Sequence, residues 1–384
     1  MTTPVPIPAS SPPTDLGGWF HDISPYVLRF SEDFGIRWYG LSYIAGFVIA
    51  YVLLRWLSKR GFTPIPKERV FDAIVVLVMG TVLGGRLGYI LIYKPSLLWT
   101  FSHTPPWWSA LAINNGGMAS HGAFIGLIIA AWWVSRGFKD EQGNRIGACP
   151  PLHVMDLLSL LGMAGYSIGR VANFINGELL GRIVAAPGEH APWWGVRFPQ
   201  EILTDHRPEL TFEQQLRLDA LIDEFAHQGD TIPQASQRVL DALWRGAPDV
   251  QARLEPLISA RHPSQLYQSL EGVIVGLIVW WIARKPRLPG VIGCWFLITY
   301  GAARITTEIW RLPDDHLKVQ RPLGLSRGQW LSAAMILAGA FILTIITKRG
   351  GAKMGGWRHP TPTPPSPSTR AADEQRESVG QSAP

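Results

Sequence analysis

Ionisable side chains stand inside several apolar runs of this chain. Arg86 lies within GTVLGGRLGY and His121 within NNGGMASHGAF. Arg170, Asn173, Asn176 and Glu178 lie within GRVANFINGELLGR, and Arg304, Glu308 and Arg311 within YGAARITTEIWR. Charge in hydrocarbon is costly, and where it persists it usually marks a site. Arginines beside two glutamates and a histidine make an anion site with a candidate base, because a guanidinium offers a planar fork of donors that fits phosphate. Other chemistries lack their residues. The sequence has no HExxH, no GxSxG elbow, no paired intramembrane Asp, and no P-loop or GxGxxG after a strand. Cys149 and Cys294 form neither a CxxC nor a Cys/His cluster, so neither a structural zinc nor a disulfide scaffold is expected, and no metal or cofactor is implied. Ser120 and His121 are helix neighbours pointing about 100° apart, which argues against a nucleophile–base pair. A phosphorylated lipid with a reactive headgroup is the natural substrate.

The elements that position these residues are those of a membrane protein. Charged residues make up 17% of the 384, against the roughly 25% of a soluble domain. Trp occurs 17 times, and mean hydropathy is +0.11. The charge balance, 35 − 29 = +6, belongs in cytoplasm-facing loops rather than on a nucleic-acid-binding face. Apolar stretches near the ~20 residues needed to cross a bilayer predict spans at 37–57, 70–93, 110–134, 154–172, 265–283, 289–309 and 326–347. The fold expected is an all-α polytopic membrane protein of about seven transmembrane helices. Lys and Arg cluster after spans one, three, five and seven (Arg55 to Arg69, Arg136 to Arg145, Arg284 to Arg287, Lys348 to Lys353). Those loops are therefore cytoplasmic, the N-terminus extracytoplasmic and the C-terminus cytoplasmic. Trp99, Trp107 and Trp108 read as an outer aromatic belt.

Residues 1–24 form a Pro-rich tail with no basic stretch leading into an apolar one, so no signal peptide is expected there. Residues 350–384 lack the apolar content to offset ordering entropy, and both tails are expected to be disordered. The transmembrane domain is then 25–349, interrupted by a polar extracytoplasmic insert at about 183–262. Within the insert, Leu216, Leu218, Leu221, Ile222 and Phe225 recur near helical spacing in 212–228, and a second helical stretch covers 236–258. Such a helix could cap the active face, bind a partner, lie on the lipid or simply pack as an insert.

With that orientation the polar intramembrane residues all fall in the outer half of the bilayer, Arg37 and Tyr39 included. Tyr300, Arg304, Glu308 and Arg311 fall at i, i+4, i+8 and i+11, one helical stripe. Arg170 and Asn173 are i, i+3 neighbours, as are Glu178 and Gly181 if the helix reaches that far. Gly84, Gly85, Gly88, Gly122 and Gly126 remove side chains near these positions, allowing close helix approach or entry of a headgroup. An anion transporter would also hold intramembrane arginines but should show paired repeats, and residues 37–172 and 265–347 are not self-similar.

The segment GRVANFINGELLGR resembles the signature of the prolipoprotein diacylglyceryl transferases, Gly-Arg-x-x-Asn-Phe-x-Asn-x-Glu-x-x-Gly. Supporting matches run in order: IRWYGLSY (36–43), LGGRLGY (83–89), HGAFIG (121–126), RHPSQLYQ (261–268), YGAARITTEIWR (300–311) and LSRGQWLS (325–332). The resemblance covers about 25–347, leaving out both tails and the insert. It implies an enzyme of the bacterial inner membrane with its active face outward. That enzyme transfers the diacylglyceryl group of phosphatidylglycerol to the lipobox cysteine of a prolipoprotein and releases glycerol-1-phosphate. Partners are then phosphatidylglycerol, the prolipoprotein signal peptide and the bilayer, with no cofactor and no nucleic acid. It implies catalytic roles for His121, Arg170, Arg304 and Glu178. Arg170 and Arg304 hold phosphate, with Arg86 a weaker candidate. His121 is a base or a lipid-positioning group. Asn173 and Asn176 orient headgroup hydroxyls or order the loop, and Glu178 and Glu308 pin arginines or contact glycerol. Tyr39 and Tyr300 line the pocket, and Gly181 completes the substrate-binding set. Three departures stand out: Ala123 where a second Gly is usual, Arg327 where an apolar residue is usual, and the long insert.

Overall fold

A computed structural model describes residues 15–30, 35–103, 106–112, 116–312 and 324–358. The Pro-rich residues 1–14 and the stretch 359–384 lie outside the described residues, as does most of the link between the last two predicted spans. The chain is mostly helical, with three small sheets. Five helices are long and apolar enough to cross a membrane. They are α1 (Trp38–Lys59), α2 (Val70–Tyr93, continuous with a preceding 3-10 turn), α4 (Pro151–Asn176), α8 (Ser264–Ile282) and α10 (Arg327–Arg349). Between them come α3 (Ser120–Ser135, 16 residues) and α9 (Val291–Thr307, 17 residues), in the two remaining predicted spans. The predicted start of the third span at 110 is corrected. Gly116 and Gly117 take φ of +77° and +82°, a left-handed backbone that a right-handed helix cannot contain, so α3 begins only at Ser120.

Contacts divide the chain into two units. The second holds Phe47–Gly162, Gly276–Ile298 and Leu337 onward. Its central feature is the α2/α3 pair, where Gly80, Gly84 and Gly88 meet Gly122, Gly126 and Ala130. A Cβ placed on Gly88 would stand 2.6 Å from the Gly122 Cα, and one on Gly80 2.7 Å from the Gly126 carbonyl oxygen. Four-residue spacing puts these glycines on one face of each helix, and the backbones close directly on each other. The Ala123 methyl lies on the same side, toward Gly85. Asp156 of α4 accepts from the backbone N–H groups of Gly290 and Gly293, each at 2.7 Å, and so caps the start of α9. The stretch 351–358 is ordered: Arg287 and Met354 exchange backbone hydrogen bonds, and the Trp357 indole donates to the Trp280 carbonyl at 2.9 Å. The expected tail boundary at 350 therefore moves outward, because two aromatic and backbone anchors hold those residues. Trp99, Trp107 and Trp108 are exposed, as an interfacial belt requires.

The first unit holds the chain up to Gly46, Met163–Val275 and Thr299–Ile336. Here β1 (Trp19–Phe20), β6 (Ile183–Ala185), β7 (Val196–Arg197) and β8 (Ala260–Arg261) form a sheet in the order β1-β7-β8-β6, and β2 (Tyr26–Arg29) pairs antiparallel with β3 (Gly35–Arg37). A further two-residue pair, β4 (Phe138–Lys139) with β5 (Arg145–Ile146), belongs to the second unit. The N-terminal boundary also needs correction. Trp19 and Phe20 add a parallel strand to β7, and His21 and Trp19 pack against Phe174, so order begins before residue 25.

The insert folds as α5 (Phe212–Phe225), α6 (Ile232–Trp244) and α7 (Pro248–Leu254). Thr211 and Thr231 open α5 and α6 with capping boxes completed by Gln214 and Gln234. Leu218, Leu221, Ile222, Val239, Leu240, Leu243, Val250 and Leu254 close into one core with Phe20 of β1, while Leu216 is exposed. The apolar stripe is consumed inside the insert, which leaves little of it for a lipid surface.

Candidate active site

The signature segment changes conformation where the chemistry sits. α4 carries Arg170 and Asn173 and ends at Asn176. Gly177 follows with φ +64°, so Glu178 and Gly181 lie on a loop and the helical i, i+3 pairing of these two does not form. Asn173 Nδ2 donates to Glu178 Oε2 at 3.1 Å and Asn176 Nδ2 to Oε1 at 3.4 Å. Both asparagines thus order the loop, and Glu178 is held by amides rather than by an arginine. Leu179 takes φ +54°, unusual for a branched side chain and worth about 1–2 kcal/mol of strain. Gly181 has no room for a side chain, since a Cβ would strike the His262 carbonyl oxygen.

Arg261, from the RHPSQLYQ segment, staples this loop. It is fully buried, with Nε 2.5 Å from Glu201 Oε2, Nη1 donating to the Gly181 carbonyl at 3.1 Å and Nη2 to the His206 carbonyl at 2.9 Å. Ser259 gives Glu201 both its backbone N–H and its hydroxyl. Next to it His262 stacks on Trp194, and burial with the charge of Arg182 lowers its pKa, which favours a neutral ring.

The stripe on α9 is also shorter than the sequence suggests. The helix stops at Thr307, Glu308–Trp310 form a 3-10 turn, and Arg311 is extended, bridging to Gly181. Arg304 and Glu308 nevertheless remain paired, Nη1 to Oε2 at 2.6 Å, with Arg311 Nη1 3.8 Å from the same oxygen. The Ser326 hydroxyl donates to Glu308 Oε1 at 3.2 Å, and Gly328 leaves space for the carboxylate. The LSRGQ segment is therefore the seat of Glu308, while Arg327 itself is exposed.

Aromatic side chains hold the other arginine. The Arg170 guanidinium lies 5.0 Å from the Tyr166 ring centroid, and Tyr166 meets Tyr300 edge-on at 5.6 Å. Tyr39 accepts a hydrogen bond from Tyr43 at 3.0 Å and lies within the electrostatic reach of Glu178 and Arg170. Glu271, which sequence reasoning missed, is 4% exposed, accepts from the Thr307 hydroxyl at 2.5 Å and feels the charges of both Arg304 and Arg170. A glutamate inside predicted span five was the available signal. In this unit Arg170, Arg304 and Arg311 stand with Glu178, Glu271 and Glu308.

Arg86 and His121 belong to the other unit. Arg86 is 6% exposed and spends its donors on backbone: Nε to the Ala110 carbonyl at 2.7 Å, Nη2 to Ser109 at 2.7 Å, and Nη1 to Gly116 at 2.7 Å and Gly117 at 3.0 Å. A guanidinium so occupied has little left for phosphate, and the weaker candidacy of Arg86 is corrected to that of a loop clamp. His121, in the first turn of α3, is exposed and has no side-chain partner among the described residues.

These features define a multi-pass membrane protein whose polar groups converge as an arginine–carboxylate cluster. Comparison with known proteins agrees. The family model for prolipoprotein diacylglyceryl transferase matches residues 25–345, and the chain belongs to that family. It is 38% identical to the phosphatidylglycerol–prolipoprotein diacylglyceryl transferase of Bdellovibrio bacteriovorus, over 88% of this chain and 97% of that protein. It is 36% identical to the enzyme of the same name from Paraburkholderia phymatum, over 82% of this chain and 91% of that one. The Burkholderia thailandensis enzyme is 34% identical, over 83% and 93%.

Proposed function

We propose that the protein transfers the diacylglyceryl group of phosphatidylglycerol to the thiol of a lipobox cysteine in a prolipoprotein, the first step of lipoprotein maturation. The sulfur attacks the glycerol carbon that bears the phosphodiester. The C–S bond forms as the C–O bond breaks, the thiol proton is lost, and glycerol-1-phosphate departs with a second negative charge. Stabilising that charge as it develops is the largest demand on the site.

The observation that supports this reading is the ion pair of Arg304 with buried Glu308 at 2.6 Å, with Arg311 on the same oxygen and Glu271 within electrostatic reach of Arg304 and Arg170. Two guanidinium forks held by carboxylate and aromatic neighbours are pre-organised donors for a phosphate that gains charge. Arg304 is aimed by Glu308, and Glu178 fixes the loop beside Arg170 through its asparagines. Tyr39 and Tyr300 form walls with a polar edge, and Gly181 lets the loop close. A thiol of pKa near 8.5 needs a positive field or a base. Arg170 and Arg304 supply that field. In the membrane we place seven spans, α3 and α9 among them, with the N-terminus and insert outside and the lysine- and arginine-rich loops in the cytoplasm of a bacterial inner membrane.

The test uses purified protein in nanodiscs with phosphatidylglycerol and a lipobox peptide with one cysteine. Peptide mass and glycerol phosphate release are followed for wild type, Arg170→Ala and a Ser-for-Cys peptide. A diacylglyceryl mass gain that needs both Cys and Arg170 supports the reading. A folded protein that adds no mass refutes it.

A further inference from the structure

A cavity of about 750 Å³ opens beside the signature loop, within the first unit. Apart from Asn176 at the end of α4, its lining comes from elements outside the helices that can cross a membrane. Tyr26, Arg29 and Arg37 of the β2/β3 hairpin face Gln237, Asp241 and Trp244 of α6, and its floor is formed by Asn176, Glu178 and Arg311. The cavity therefore joins the proposed reaction site to the insert. Its volume lies in the ~300–1,000 Å³ range of ligand pockets.

Three of its lining side chains have buried polar atoms with no partner among the described residues. Gln200 is 7% exposed, and both its Nε2 and Oε1 lack one. Asn176 Oδ1 and Trp244 Nε1 also lack one. Buried polar groups are nearly always satisfied, and leaving one unmet is costly. The cations of the wall, by contrast, are engaged. Arg29 pairs with Asp241 at 2.7 Å, and Arg37 donates to the Tyr26 hydroxyl at 2.7 Å while lying over its ring. Beside these charges the cavity lining carries a mixed set of amide and indole donors and acceptors. Gly177 has no side chain, so the Gln200 amide rests directly against the signature loop.

An extended polypeptide matches that set, because its backbone presents N–H and C=O groups along one edge. We propose that this cavity holds the backbone of the acceptor protein just after its modified cysteine, with Gln200 and Trp244 as the principal hydrogen-bonding groups. The proposal rests on the transferase reading for the place of the cysteine, at the Glu178 end. The α6 wall of the insert then sets how well a given acceptor is held, independently of its membrane-embedded part.

The experiment compares two lipobox peptides, one ending at the cysteine amide and one continuing for six Gly/Ser/Asn residues. KM for transfer is measured in phosphatidylglycerol nanodiscs. Binding of the corresponding Cys→Ala peptides is measured by fluorescence anisotropy in nanodiscs lacking that lipid. Wild type should favour the long peptide about tenfold, since each added hydrogen bond is worth roughly two- to tenfold. Trp244→Phe removes the indole N–H, and Gln200→Met removes the amide. Each should bring the long-to-short ratio toward one, and because it is a ratio, partial misfolding does not mimic the effect. Equal KM and affinity for the two peptides in wild type, variants that leave the ratio unchanged, or displacement of the long peptide by millimolar glycerol phosphate would each overturn the proposal. A length preference in binding that depends on Trp244, with no transfer to either peptide, would uphold the cavity and sink the transferase reading instead.

Discussion

Two glycine-to-alanine substitutions in membrane helices should move stability in opposite directions. At Gly88 an added Cβ would stand 2.6 Å from the Gly122 Cα and 3.1 Å from its nitrogen, where ordinary contact begins at 3.4 Å. The helices must therefore part by about 3.4 − 2.6 = 0.8 Å, since both obstructing atoms are backbone and cannot rotate away. Overpacking of this kind costs roughly 1–3 kcal/mol. The better helix propensity of alanine returns about 0.5–1 kcal/mol, leaving a net loss centred on about 1 kcal/mol. Gly162, on α4, has nothing within 4 Å of an added Cβ, so there only the propensity gain of about 0.5–1 kcal/mol remains. Gly88 also lies two residues from Arg86 and against the turn that carries His121. A displacement near 0.8 Å beside a proposed catalytic group is of the size that costs up to about 100-fold in rate. The assay is reversible unfolding in mixed micelles, followed by circular dichroism, with turnover measured on the same samples. A Gly88→Ala protein as stable as wild type, or a shift of both variants in the same direction, would refute this packing account.

Breaking the Arg261–Glu201 pair with Arg261→Ala leaves a carboxylate buried at 2% exposure and frees the Gly181 carbonyl, so about 3–5 kcal/mol of stability should be lost, read as a lower thermal midpoint. At Glu308, alanine should cost more stability than glutamine: both strip Arg304 of its counter-charge, but only glutamine can keep the Ser326 contact, and equal midpoints would contradict the assignment of LSRGQ as its seat. If the arginine field dominates thiol activation, Arg304→Lys should lower kcat by more than His121→Gln, because lysine loses the planar fork whereas His121 has no fixed partner. Burial pushes the Cys149 thiol up to about 12, so at pH 8 only ~1 in 10,000 molecules carries the thiolate. Maleimide labelling of the folded protein at that position should stay negligible and rise tenfold per pH unit. Rapid labelling at pH 7 would show the loop to be open.

The class of protein and most residues of the candidate site were legible in the chain alone, for a physical reason. Hydrocarbon punishes every exposed charge, so Arg170, Glu178, Arg304 and Glu308 stand out against apolar neighbours without any coordinates, and helix length is set by bilayer thickness. Glycines at four-residue spacing fall on one face because the helical period is 3.6 residues, but only the structure makes that face the α2/α3 contact. What the tertiary structure decided was partnership. Nothing local says that Arg86 is consumed by four carbonyls of a loop 23 to 31 residues away, or that Glu178 is claimed by two asparagines once Gly177 ends the helix. Glu271 reads as one more charge in a span until Thr307 and two arginines arrive from distant segments. The insert's stripe predicts helices, but only packing shows that Leu218, Leu221 and Val239 satisfy each other and that Trp244 is left facing a cavity. Burial costs act residue by residue and leave their mark in the sequence; hydrogen-bond partners are chosen in three dimensions, among groups the chain order keeps apart.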